Sequence, residues 1–139
     1  MRWYGFLGRM KHQTSTAYPR FHCPFARTYR FYHDLHTALI QKKGATAADF
    51  NRAVYERLKP GGSYVIVDHA AATGAGAGDA QSLHRIEPAS VRKEVEAAGF
   101  VLDADSTILA NKDDPHSLKV FDPSIKGKTD RFAYRFVKI

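Results

Sequence analysis

Three pairs of adjacent residues in this chain have side chains that could move a proton or hold an anion: His33 with Asp34, Asp68 with His69, and His84 with Arg85. Imidazole changes charge near neutral pH, so a histidine beside a carboxylate suits the removal of a proton from a hydroxyl or an acidic amine. The Arg85 guanidinium could orient an anionic group at the same place. Each pair has a plainer reading, in which it caps a helix or satisfies loop backbone groups, and His36 and His116 are read that way. Lys126, Gly127 and Lys128 could close over a substrate or form a basic, solvated turn.

Metal chemistry is not expected. Cys23 is the single cysteine, which rules out an internal disulfide and a thiolate cluster and leaves it an inert thiol. His12 and His22 have no partner at ligand spacing. The run Gly74-Ala75-Gly76-Ala77-Gly78, with Asp103 or Asp105 further on, raises a dinucleotide-binding reading. Against it, residues 79 to 87 separate the glycines from the helix start that should face a phosphate. A flexible loop is the preferred reading.

The elements that must position these residues are legible from residue 45 onward. Thr46 and Asp49 resemble a capping pair, and Ala47, Phe50, Val54 and Leu58 recur at helical spacing, which predicts a helix ending at Leu58. Pro60 cannot continue it, and Gly61-Gly62 allow the chain to reverse. Tyr64-Val65-Ile66-Val67 is apolar without alternation, the pattern of a parallel strand covered on both faces. Pro88 suits a first helical position, Val91, Val95 and Ala98 line one face, and Gly99 stops that helix. Phe100-Val101-Leu102 opens another strand, and residues 132 to 136 alternate as a last one. The polar stretch from Asn111 to Arg131 between them is long for a connection in a compact domain, which points to function or mobility.

Charge divides the chain. Residues 1 to 30 carry six bases, no acid and many aromatics, whereas the rest holds 15 bases against 14 acids; nearly all of the +7 net charge lies in the first segment. That segment reads as a basic, aromatic, poorly ordered extension, and residues 31 to 139 as the folded domain. An arm of this composition could stack bases and neutralise phosphates, or act as a targeting peptide. A nucleic-acid-binding module working through it is the rival function, although nucleic acid is not the expected partner. No run reaches the ~18 to 20 apolar residues of a membrane span, so no membrane partner and a cytoplasmic location are expected.

Leu58-Lys59-Pro60-Gly61-Gly62 followed by Tyr64-Val65-Ile66-Val67-Asp68-His69 resembles the helix, turn and fifth strand of class I S-adenosylmethionine-dependent methyltransferases. Leu83-His84-Arg85-Ile86, with Glu96-Ala97-Ala98-Gly99-Phe100, resembles the next helix and sixth strand. Tyr32-His33-Asp34-Leu35 is similar to the segment after strand four that approaches the methyl-transfer site. The resemblance covers about four-fifths of the chain and extends to a bacterial branch of predicted methyltransferases.

It implies an α/β fold: the later part of a Rossmann-like sheet, with one buried parallel strand, an antiparallel final hairpin and two principal helices. It also implies methyl transfer to a small molecule, with His33, Asp34, His69 and His84 in catalytic positions. Tyr32 and His33 would meet S-adenosylmethionine, and Asp68 and Arg85 the substrate. The family's strand with its glycine-rich cofactor loop, and the acid closing its second strand, do not precede residue 31. The chain therefore reads as a truncated methyltransferase, inactive alone, with an exposed sheet edge at Tyr64 to Val67 open to self-association. Where the buried fourth strand belongs, Arg27 and Arg30 would be costly without partners.

Overall fold

Residues 23 to 139 are described by a computed structural model. In chain order they form β1 (Cys23–Tyr29), a 3-10 helix (Tyr32–His36), α1 (Ala38–Lys42), α2 (Ala47–Arg57), β2 (Leu58–His69), α3 (Ala80–Leu83), α4 (Pro88–Ala97), β3 (Phe100–Ser106) and β4 (Arg131–Lys138). The strands make one mixed sheet in the order β1-β2-β4-β3. β1 and β2 run parallel, and β4 runs antiparallel to both of its neighbours. This is an α/β fold. No helix among the described residues is long and apolar enough to cross a membrane.

Local sequence explains the two principal helices. Thr46 caps α2: its hydroxyl accepts from the Asp49 N–H at 3.1 Å and donates to the Asp49 carboxylate at 2.8 Å. The other end of α2 is closed by Lys138, whose Nζ donates to the carbonyls of Tyr55 and Leu58 at 2.7 and 2.9 Å. A cation placed there also complements the helix dipole. Pro88 opens α4 at its first turn, as its missing N–H and fixed φ allow.

Leu58, expected to end the helix, and Pro60 to Gly62, expected to reverse the chain, lie in the first part of β2. Gly61 supplies a φ of 78°, and a Cβ on Gly62 would stand 2.8 Å from the Lys59 carbonyl and 3.3 Å from the Cys23 and Pro24 carbonyls at the start of β1. The Lys-Pro-Gly-Gly sequence thus lets the two parallel strands approach.

The helices cover one face of the sheet. Tyr64, Ile66, Phe132, Tyr134 and Phe136 point into that layer and pack with Phe50, Val54, Val91, Val95 and Phe100. On the other face Val65 and Val67 are only half-buried, and Arg27, Tyr29 and Arg135 are exposed. The two-sided cover expected for β2 is therefore absent among the described residues, although its sequence is apolar on both sides.

Three expectations about the start of the domain are corrected. Residues 23 to 29 belong to the sheet, so the fold does not begin at residue 31; residues 1 to 22 lie outside the described residues. Arg27 and Arg30 carry no burial penalty, because both side chains are exposed and the Arg30 guanidinium lies 4.5 Å from the Tyr29 ring centroid. Tyr64 to Val67 is not an edge, because each residue pairs with β1 on one side and β4 on the other. That run has no unpaired backbone through which to self-associate.

Candidate functional site

β1 and β2 end at the same margin of the sheet, and the residues singled out by type converge there. Arg30 takes a left-handed φ of 52° while its N–H donates to the Val67 carbonyl at 2.7 Å. The chain then enters the 3-10 helix, which sets His33 against the end of β2.

Asp68 is the hub, with no exposed surface. Its carboxylate accepts the backbone N–H groups of His33 and His69, both at 2.8 Å, and lies 2.9 and 3.0 Å from His33 Nδ1. A carboxylate can only accept, so these contacts place a ring proton on Nδ1, and in the neutral imidazole the lone pair then lies on Nε2. Nε2 faces the Asp34 carboxylate at 3.3 Å. Burial opposes a charged His33, but the hydrogen-bonded Asp68 and nearby Asp34 outweigh it and hold the imidazole above its ordinary range. Burial raises Asp34, with His33 opposing.

His69 has the opposite tendency. Burial is the main cause lowering its pKa to about 4, against the pull of Asp68. Nδ1 lies 2.7 Å from the Thr129 hydroxyl, and the ring stands 6.3 Å from that of His33. His84 approaches His33 edge-on at 5.4 Å from a left-handed backbone with φ 58°. The exposed Phe121 ring also contacts the His84 ring at 5.1 Å.

The structure withdraws three side chains from ligand contact. Arg85 has no exposed surface: it pairs with Asp114 through both terminal nitrogens at 2.8 and 3.0 Å and donates to the carbonyls of Ala70 and Leu118. It ties the long segment to the sheet and has no face for a substrate anion. Asp68 is likewise consumed in positioning His33 and His69, so it is not a substrate contact. The Tyr32 side chain points into the core, donating to Glu94 at 2.8 Å and accepting from Asn51 at 2.7 Å, which rules that side chain out as a cofactor contact.

The glycine run is occupied as well. The Glu87 carboxylate accepts the N–H groups of Gly74 and Gly76 at 2.9 and 2.8 Å. An internal anion thus sits where a phosphate would be needed, α3 has only one turn, and Asp103 is paired with Arg135. The dinucleotide-binding reading fails, and so does the picture of an untethered loop. His36 and His116 bond Glu94 and Asp130 respectively. Thr129, Phe121 and Asp114 reach the site or its support from the long segment; their only sequence signal was that segment's length.

No family model and no curated protein matches the chain. Among solved structures it is similar to a candidate DNA modification methylase from Thermus thermophilus, with 19% identity and a TM-score of 0.50 over 88% of this chain and 47% of that one. It also matches a chain of the complex between the Haloferax volcanii Trm112 methyltransferase activator and a candidate methyltransferase, with 13% identity and a TM-score of 0.45 over 81% and 51%. The fold is methyltransferase-like, and the chain spans about half the length of the structures it matches.

Proposed function

We propose that the chain forms the acceptor side of an S-adenosylmethionine-dependent methyltransferase and serves methylation of a small molecule. The observation that carries this reading is the meeting of His33, from the 3-10 helix after β1, with Asp68 near the end of the adjacent parallel strand β2, at the margin where open α/β sheets place ligands. On this reading β1, β2 and β3 stand for the family's fourth, fifth and sixth strands, and β4 for its last.

S-adenosylmethionine, when bound, supplies a methyl group open to in-line displacement, which leaves alignment and proton removal to the protein. His33 is the proton acceptor. Its Nδ1–H is held by Asp68, so Nε2 keeps its lone pair and a fixed direction, the arrangement that makes an imidazole an oriented base. Asp34, 3.3 Å from Nε2, favours the imidazolium that results. His69, neutral and bonded to Thr129, fixes the end of β2 without competing for the proton.

The described residues fit the cofactor only in part. The glycine-rich loop and the ribose-holding acid expected ahead of the family's fourth strand have no counterpart among residues 23 to 139, whose first element is β1. Residues 23 to 139 alone are proposed not to suffice for methyl transfer, which needs a cofactor cradle. Addition of S-adenosylmethionine to the labelled full chain should shift backbone amide signals of residues 31 to 34 and 68 to 70, with weak, unsaturated binding at micromolar cofactor. Tight, saturable binding in equilibrium dialysis would refute inactivity for want of a cradle, and the absence of any shift at millimolar cofactor would overturn the acceptor-side assignment.

The rival nucleic-acid reading is tested by deletion. Removing residues 1 to 30 would also remove β1, so the cut must stop at residue 22. Loss of a steeply salt-dependent RNA or DNA affinity would favour the arm, whereas unchanged affinity would exclude it.

A further inference from the structure

One donor atom from each of His33, Asp34 and His84 lies within 4.8 Å of the other two. We propose that they form a site for a divalent transition-metal ion such as zinc, held by two imidazoles and one carboxylate with at least one position open to a ligand. The inference goes beyond methyl transfer and does not rest on it.

The tautomer supplies the first argument. With its proton held on Nδ1 by Asp68, neutral His33 aims the Nε2 lone pair at the Asp34 carboxylate across 3.3 Å. A cation beside these two atoms would be held by both. A proton can fill that role for one pair, whereas a third donor from His84 offers a metal ion a further ligand.

Distance supplies the second. Donors each about 2.0 to 2.1 Å from one tetrahedral ion stand about 3.3 Å apart, the separation seen for His33 and Asp34. The widest pair would have to close by about 1.5 Å to reach that spacing. The movable partner is His84, which is only half-buried and ends the one-turn helix α3. The residues on which the site stands are fixed: Arg85, next in sequence, is locked to Asp114, and His33 is locked to Asp68.

Surroundings supply the third. Ligating histidines commonly donate their second ring nitrogen to a carboxylate, which sets the ring direction and raises ligand basicity, and Asp68 does this from a fully buried position. Two imidazoles and one carboxylate suit zinc or ferrous iron. With an ion on Nε2, that nitrogen no longer accepts a proton, and activation of a coordinated hydroxyl or water falls to the metal.

The test is titration of the full chain with cobalt(II), followed by absorption, and with zinc by calorimetry. One ion per chain is expected, with cobalt bands of a low-coordinate site that zinc removes. Asp34→Asn and His84→Asn should each weaken binding at least tenfold, the latter keeping a residue that tolerates the left-handed backbone. Asp68→Asn should weaken it about 10- to 100-fold. His116→Ala and the joint replacement of His12 and His22 should leave it unchanged, with circular dichroism reporting the fold of every variant. Absence of stoichiometric cobalt bands in the unaltered chain, or zinc affinity unchanged in folded Asp34→Asn and His84→Asn, would overturn the proposal without touching the methyltransferase reading.

Discussion

His33 and His69 both meet Asp68, one through its ring and the other through its backbone N–H, and their protonation tendencies diverge. The folded pKa of His69 is about 4, below the ordinary 6.5. As pH falls from 6.5 toward 4 the unfolded chain binds a proton that the folded protein refuses, so stability present above that window is lost across it, by about 3 kcal/mol in full. His33 acts in the opposite sense, adding stability below 6.5 that fades as pH rises through its raised value. The His69→Asn variant, in which the amide can replace Nδ1 opposite Thr129, should therefore lose less melting temperature than the unaltered chain between pH 7 and pH 5. Equal losses would show that His69 does not titrate as its burial requires. Adjacency to an acid and the family resemblance marked these histidines in sequence, but neither could reveal that Asp68 serves His33, 35 residues away, as well as its own neighbour.

At the scale of elements, the segment between β3 and β4 is fastened rather than loose. Asp114 is buried against Arg85, Asp130 donates its backbone N–H to Asp114 at 2.7 Å, and Val120 and Ile125 are buried. Asp114→Ala leaves a buried guanidinium unpaired and should cost about 3 to 5 kcal/mol in urea unfolding. A cost below about 1 kcal/mol would mean that the segment is held elsewhere. The glycine run has a similar clasp, and Glu87→Gln should speed amide hydrogen exchange at Gly74 and Gly76 more than at other loop amides. Exchange unchanged at both glycines would argue that the carboxylate does not hold them. The helices were readable because capping and periodicity act within a few residues, whereas both clasps join residues 11 or more apart with no periodic signal.

At the scale of the whole molecule, one helix-covered face carries the core, and stability should be concentrated there. Phe136 is fully buried on β4, between β2 and β3, so Phe136→Ala should cost about 3 to 5 kcal/mol. Ile108, 84% exposed, should tolerate alanine within about 0.5 kcal/mol in the same urea measurements. Comparable effects at the two positions would contradict this division.

The sequence by itself determined what short-range physics can write. It placed both principal helices through caps, apolar spacing, proline and glycine, assigned the α/β class, and marked the histidines and acids of the parallel-strand margin. Tertiary structure decided the partnerships. Pairing β1 with β2 brought Cys23 to Tyr29 into the domain, because a strand is completed by hydrogen bonds to a distant segment. Placing β4 beside β2 removed the edge expected at Tyr64 to Val67, and burying Arg85 against Asp114 turned a candidate anion contact into a tether. The donor cluster of His33, Asp34 and His84 likewise exists only after folding, since His84 lies about fifty residues from the adjacent His33 and Asp34.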